Sequence, residues 1–186
     1  MKKRKNGGFS LLELIVVIAI LAVMGGILVG TVGNIGHYKV KQYTEILDSF
    51  MRKTRSNAMA KNNICGFCLY QKNGRYYVES YGENKNDEAT IVYNTVEVKE
   101  LGNSSGVEIS IAKKDGSDKK VLADNTGDSV DSCIRVKYVT GTGAIDKITI
   151  DTNTDLDMDY TRITISKGEN SQCIEINPVT GRHSQN

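Results

Sequence analysis

Residues 2–26, KKRKNGGFSLLELIVVIAILAVMGG, decide how the rest of the chain must be read. Four cations (Lys2, Lys3, Arg4 and Lys5) come first, then Gly7-Gly8, then an apolar run from Phe9 to about Val32. A helix needs roughly 20 apolar residues to cross the hydrocarbon core of a bilayer, and this run supplies them. One residue is out of place. Glu13 sits in the first turns of the run, although a carboxylate near the bilayer centre costs roughly 2.5–3.5 kcal/mol on insertion scales.

The charge distribution points to topology. The chain of 186 residues carries a net +2. Residues 1–8 hold four basic groups and no acid, so 20 basic (24 − 4) and 22 acidic residues remain, a net −2. From Asn63 onward 14 Lys/Arg face 19 Asp/Glu. A mildly acidic body speaks against a general nucleic-acid binder. The basic N-terminal cluster keeps that end cytoplasmic and sends everything after residue 33 outside. An ordinary secretory signal fits poorly, because the apolar core is too long and no Ala-x-Ala-like site closes it.

The segment KNGGFSLLELIVVIAILAVM (5–24) resembles the type IV prepilin signal of pilins and pseudopilins, a short basic leader, a Gly, a Phe, and a Glu fifth after the Gly. The resemblance implies cleavage between Gly8 and Phe9 by a membrane-embedded aspartyl prepilin peptidase. It also implies N-methylation of the new Phe9 amine, loss of leader 1–8, and retention of 9–33 as a transmembrane and assembly helix. Glu13 then has a reason. It can pair with the cationic Phe9 amine of a neighbouring subunit, or with its own, when the helix enters an apolar filament core where a lone charge is not tolerated. The rival is a carboxylate that merely reaches the membrane interface.

Past the run, Gly25, Gly26, Gly30, Gly33 and Gly36 each cost up to about 1 kcal/mol in a helix interior. They permit local unwinding as a filament forms, or close helix contacts in the membrane. From Tyr38 to Lys61, the residues Tyr43, Ile46, Leu47, Phe50, Met51, Thr54 and Ala58 follow helical spacing. The region 34–62 is therefore expected to continue as an amphipathic helix under a head domain. A membrane-surface helix is the rival, since six Lys/Arg face two acids there.

Beyond Asn62-Asn63 the period changes to two. ICGFCLY, RYYVESY, ATIVYNTVEV, VEISIA, CIRVKYV, AIDKITI, TRITIS and QCIEI read as strands, separated by turn signals of which Asn73-Gly74 is the strongest hairpin. The expected class is α+β: a long N-terminal helix packed on an antiparallel β-sheet head, 63–186, pilin-like. The segments TRSNAMAKNN and ITISKGENSQCIEINPVTGR further resemble the GspH/FimT group of minor pilins and pseudopilins, in which an Arg-Ser-x-Ala helix end leads into the first strand and a closing hairpin ends in Thr-Gly-Arg.

Other chemistry is thin. Cys65 and Cys68 form CGFC at its ends, but in a straight strand their Cα atoms are roughly 10 Å apart, too far for a mutual bond. Alternation turns Ile134, Val136 and Tyr138 inward and Cys133 outward; likewise Ile174 and Ile176 inward and Cys173 outward. Cys133 and Cys173 are thus candidates for a disulfide if their strands adjoin. Asp151, Asn153 and Asp155 resemble the start of a calcium loop, yet Leu156 stands where the loop's Gly belongs and Arg162 where its Glu belongs, which favours a solvated acidic loop. Arg182-His183 could touch DNA, and a plain C-terminal tail is the simpler reading. No catalytic constellation and no cofactor motif is present.

The expectation is a structural minor pilin or pseudopilin, not an enzyme. Its partners are prepilin peptidase, other pilins, an inner-membrane assembly platform and, before assembly, membrane lipid. Its location is the cytoplasmic membrane, single-pass with the head outside, and then an extracellular or periplasmic filament. A tip adhesin or DNA receptor mounted on the helix is the alternative. A membrane-anchored enzyme is the third.

Overall fold

The computed structural model describes residues 10–32, 35–60, 64–85, 91–127, 129–151 and 154–185, with side chains for all of these except 25–32, 35, 84, 85, 91 and 92. The chain divides into two units, Met1–Gly36 and His37–Asn186. In the first, α1 runs Leu11–Val32 and is apolar around its whole circumference, with Glu13 as its only acid in the first turn. A helix apolar on every side has no solvent face to offer. Among the described residues, no helix is long and apolar enough to cross a membrane. Side chains on α1 are described only as far as Met24.

Helix α2 spans Ile35–Ala60. Its continuity with α1 depends on residues 33 and 34, which lie outside the described residues, as does the end of the expected helix at 61–62. The expected stripe is the buried one: Tyr43, Leu47, Phe50, Met51, Thr54 and Ala58 are all buried, and Ile46 packs at its margin. Val40 and Thr44 extend it, the Thr44 hydroxyl donating to the Val40 carbonyl at 2.8 Å so that no buried polar atom is stranded. At the edge of the stripe, buried Asp48 pairs with exposed Arg52 across one turn at 2.9 Å. The amphipathic pattern is thus satisfied by the head itself rather than by a membrane surface.

Among the described residues the head contains twelve strands: β1 Gly66–Lys72, β2 Arg75–Lys85, β3 Ile91–Asn103, β4 Glu108–Lys113, β5 Lys120–Val121, β6 Asp124–Asn125, β7 Cys133–Tyr138, β8 Ile145–Ile150, β9 Thr154–Leu156, β10 Tyr160–Lys167, β11 Asn170–Ile176 and β12 His183–Gln185. All eight expected strands are present. Asn73 and Gly74, both at positive φ (50° and 71°), make the tight turn between β1 and β2 whose twist suits a two-residue hairpin.

These strands form two sheets. One has the order β3-β2-β1-β7-β8-β9, antiparallel, with β6 as a two-residue parallel partner of β1. The other has the order β12-β11-β10-β4-β5 and is antiparallel throughout. The α+β expectation stands, with one refinement. The head has two sheets because β4 does not add to its neighbour β3 but pairs with the distant β10. Their inward faces share one core with α2: Phe67, Leu69, Val78, Ile134, Val136 and Ile148 from the first sheet, and Ile109, Ile111, Ile163, Ile165 and Ile174 from the second. At about 25 cal/mol per Å² of apolar area, these fully buried side chains contribute roughly 1.5–3 kcal/mol each before chain entropy is set against them.

Candidate functional site

The N-terminal site begins with Ser10 and Glu13. The Glu13 N–H donates to Ser10 Oγ at 3.2 Å, and the Leu14 N–H donates to the Ser10 carbonyl at 3.2 Å. Ser10 is therefore the N-cap of α1, and Ser-Leu-Leu-Glu is a capping-box sequence with Glu13 at the third helical position. Sequence reasoning missed this role, although the Ser-x-x-Glu spacing carries it. A carboxylate in a first turn also suits the helix dipole, by about 0.3–1 kcal/mol. Glu13 thus has a local helical function beside any partner it finds in a neighbour. Gly8 and Phe9, the expected cleavage and methylation positions, lie outside the described residues.

From Leu11 to Met24 every described side chain on α1 is exposed, with Leu11 at 77%, Leu12 at 74% and Val23 at 67%. Scattered exposed Leu or Val residues are ordinary; a whole helix of them marks a surface built for lipid or for another chain.

In the head, the two segments that carried the finer resemblance meet. Arg55, near the end of α2, donates from Nε to the carbonyls of Gly143 and Thr180, both at 3.1 Å, and from a terminal nitrogen to Thr180 at 2.7 Å. Gly181 sits there with φ of 64°, and a Cβ on it would lie 1.7 Å from the Gly143 oxygen. Only Gly fits. The Arg of the helix end therefore holds the closing Thr-Gly-Arg turn, a contact that spacing alone could not reveal.

His183 is next to it and departs from the sequence reading at that position, whereas Arg182 is exposed. His183 lies in β12 and is 8% exposed, with Nε2 at 3.2 Å from both the carbonyl and the Oδ1 of Asp48. It is neither a free tail nor a DNA-facing cation. Burial holds the imidazole below its ordinary pKa, against the opposing pull of Asp48.

The cysteine candidates are rearranged. Cys133 lies on β7 of the first sheet and Cys173 on β11 of the second, so their strands do not adjoin and the expected condition for a bond is not met. Cys133 does face away from the main core, as alternation requires, but that face is not polar. It is covered by Tyr70, Tyr81 and Cys68, with Cys65, Tyr77 and Val130 at the margin, and Cys133 is fully buried. All four thiols are free. Of the calcium candidates, Asp151 is an exposed turn residue, Asp155 sits on β9 at 2.7 Å from Lys147 Nζ, and Asn153 lies outside the described residues. Among the described residues no group of three His, Cys, Asp or Glu side chains could hold a metal.

Comparison with known proteins agrees on the N-terminus. Residues 3–29 match the family model of the prokaryotic N-terminal methylation motif. That motif points to a type IV pilin-like protein, processed by prepilin peptidase and assembled with other pilins. No curated protein and no solved structure matches the chain.

Proposed function

We propose that this chain is a structural minor pilin or pseudopilin, inserted in the cytoplasmic membrane through residues 9–33 with its head outside, and then drawn into a type IV pilus-like filament. One observation carries the reading: a helix apolar on every side, exposed at its described side chains Leu11 to Met24, overlaps a methylation motif and has a single Glu in its Ser10-capped first turn. Such a surface requires a partner outside the chain, which is lipid before assembly and the helices of other subunits afterwards. The head has no role in chemistry in this reading; it is the part displayed. Membership of the GspH/FimT group is supported by the meeting of Arg55 with the Thr180-Gly181-Arg182 turn.

Processing tests the proposal. Intact-mass and N-terminal analysis of membrane-extracted protein is expected to show a chain of 178 residues (186 − 8) beginning at Phe9, with a methyl group on its amine. A mature start at Met1, or beyond residue 25, would sink it.

A further inference from the structure

The outer face of the first sheet holds two thiols in register. Strands β1 and β7 pair antiparallel, Cys68 opposite Arg135 and Tyr70 opposite Cys133. Cys68 and Cys133 are therefore diagonal neighbours on one face, two positions out of direct opposition. The phase of the ladder is set by the Tyr138 N–H, which donates to the Cys65 carbonyl at 2.7 Å. Counting inward from that bonded pair, Cys68/Arg135 and Tyr70/Cys133 are both non-hydrogen-bonded sites. There the strands approach most closely, about 4.5 Å between opposed Cα atoms, and side chains lean together. Diagonal neighbours on such a ladder lie about 7–8 Å apart, and the right-handed twist of the sheet draws this diagonal in toward disulfide range.

The surroundings isolate the pair. Cys68 is 1% exposed and Cys133 fully buried, walled by Tyr70 and Tyr81. The Arg135 guanidinium lies 4.3 Å from the ring centroid of Tyr93 and 5.6 Å from that of Tyr81, closing one side. Cys173 is in the other sheet, and Cys65 is only half-buried at the margin.

We propose that Cys68 and Cys133 are the disulfide of the mature head, a bond that ties β1 to β7 across the centre of the first sheet. The proposal rests on the reading that the head lies outside the cytoplasm, where disulfides persist. The two thiols perturb each other's ionisation, and the Arg135 cation favours the thiolate at both. Exchange can open at either sulfur, and the course from Cys133 is chemically equivalent to the one from Cys68.

The oxidant is an external disulfide, of the kind carried by a dithiol oxidoreductase or by oxidised glutathione. The Cys133 thiolate attacks one of its sulfurs and expels the other as a thiolate. Cys68, losing its proton, then attacks Cys133 Sγ in the mixed disulfide and expels the second thiolate. Two S–H bonds are lost and one S–S bond forms. Two electrons pass to the oxidant, which takes up the two protons as its thiols. Because both sulfurs are buried in the finished head, exchange belongs to the stage at which β7 docks on β1.

The test refolds the reduced full chain in detergent with a glutathione redox buffer, quenches with N-ethylmaleimide in denaturant, and maps peptides without reductant. A linked pair holding Cys68 and Cys133 is expected, with Cys65 and Cys173 alkylated. Dithiothreitol should fail to open the bond until denaturant is added, and reduction should lower the thermal midpoint by about 10 °C. Alkylation of both Cys68 and Cys133 in refolded protein, or a dominant bond from Cys65 to either, overturns the proposal. A second arm alkylates the protein directly in cells. The same bond there supports the proposal in full; free thiols in cells beside a bond that forms in vitro would overturn the external location of the head, not the pairing.

Discussion

Helices α1 and α2 follow one another in the chain, and they solve opposite problems. In α2, polar and apolar residues alternate at helical period, and the apolar stripe around Leu47 and Met51 is buried in the head's own core. In α1, apolar residues occur at every angle, and those described are exposed. Helix α2 therefore contributes to folding of the head and α1 cannot. A residue that the chain cannot bury for itself has to be buried by something else, and this asymmetry is the physical content of an assembly helix.

The sharpest break in the comparison comes from matched truncations. Leu47→Ala removes side-chain atoms from a fully buried site and is expected to destabilise the head by about 2–5 kcal/mol, read by thermal or denaturant unfolding of the full chain in detergent. Leu14→Ala, on α1, should leave the same transition within about 0.5 kcal/mol. Equal losses at the two positions would erase the distinction between the helices.

Next in size is Gly181→Ala. A methyl group there meets the Gly143 carbonyl, and a side chain must also adopt φ of 64°. A loss on the order of 3 kcal/mol is expected, with no effect on membrane insertion. Arg55→Lys should cost about 1–2 kcal/mol, because a single ammonium cannot reproduce the planar donors shared between the Gly143 and Thr180 carbonyls. Both effects belong to the head, so filament entry of the surviving folded fraction should be normal.

The smallest expected effect is a pH dependence of the α2 contact. His183 has its folded pKa below its unfolded value, so the neutral ring is the form the fold prefers. Above the unfolded value of about 6.5 there is no penalty. As pH falls through that value, the unfolded chain binds a proton that the folded one does not, and stability declines until the folded pKa is reached. Stability should therefore fall from about pH 7.5 to about pH 5, with the Asp48 carboxylate and Arg52 guanidinium as the other charges at this contact. Denaturant midpoints of wild type and His183→Gln across that range check it. A slope unchanged in the variant would assign the dependence to other groups.

Much of this was legible in the sequence, and the pattern of what was not is instructive. Helix α2, eight strands and the Asn73-Gly74 turn follow from local periodicity and turn chemistry. The division into two sheets does not, because it depends on β4 choosing β10 over β3, a choice made by non-local packing. Strands β5, β6, β9 and β12 are two or three residues long and carry no readable period. Alternation assigned Cys133 to the correct face and still misjudged its environment, because that face is covered by tyrosines from neighbouring strands. His183 was read as a tail residue because its partner, Asp48, lies 135 positions away. At the N-terminus the charge argument singled out Glu13, while the cap made by Ser10 was overlooked beside it.

That cap complicates the role of Glu13 and also supplies the means to resolve it. Glu13 has two functions to separate: a helical one at the third position of the capping box, and a charge offered to the Phe9 amine of a neighbour. Glu13→Gln keeps the hydrogen-bonding capacity of the capping box and removes the charge, Glu13→Ala removes both, and Glu13→Asp keeps the charge on a shorter reach. The measurement is to shear filaments from cells and compare each variant's abundance there with its membrane pool. The account predicts that Gln and Ala subunits are both depleted from filaments at least tenfold, about 1.4 kcal/mol or more, with Asp intermediate and head stability unchanged in all three. If Glu13→Gln subunits enter filaments as readily as wild type, the charge has no partner there, and Glu13 serves only its own helix.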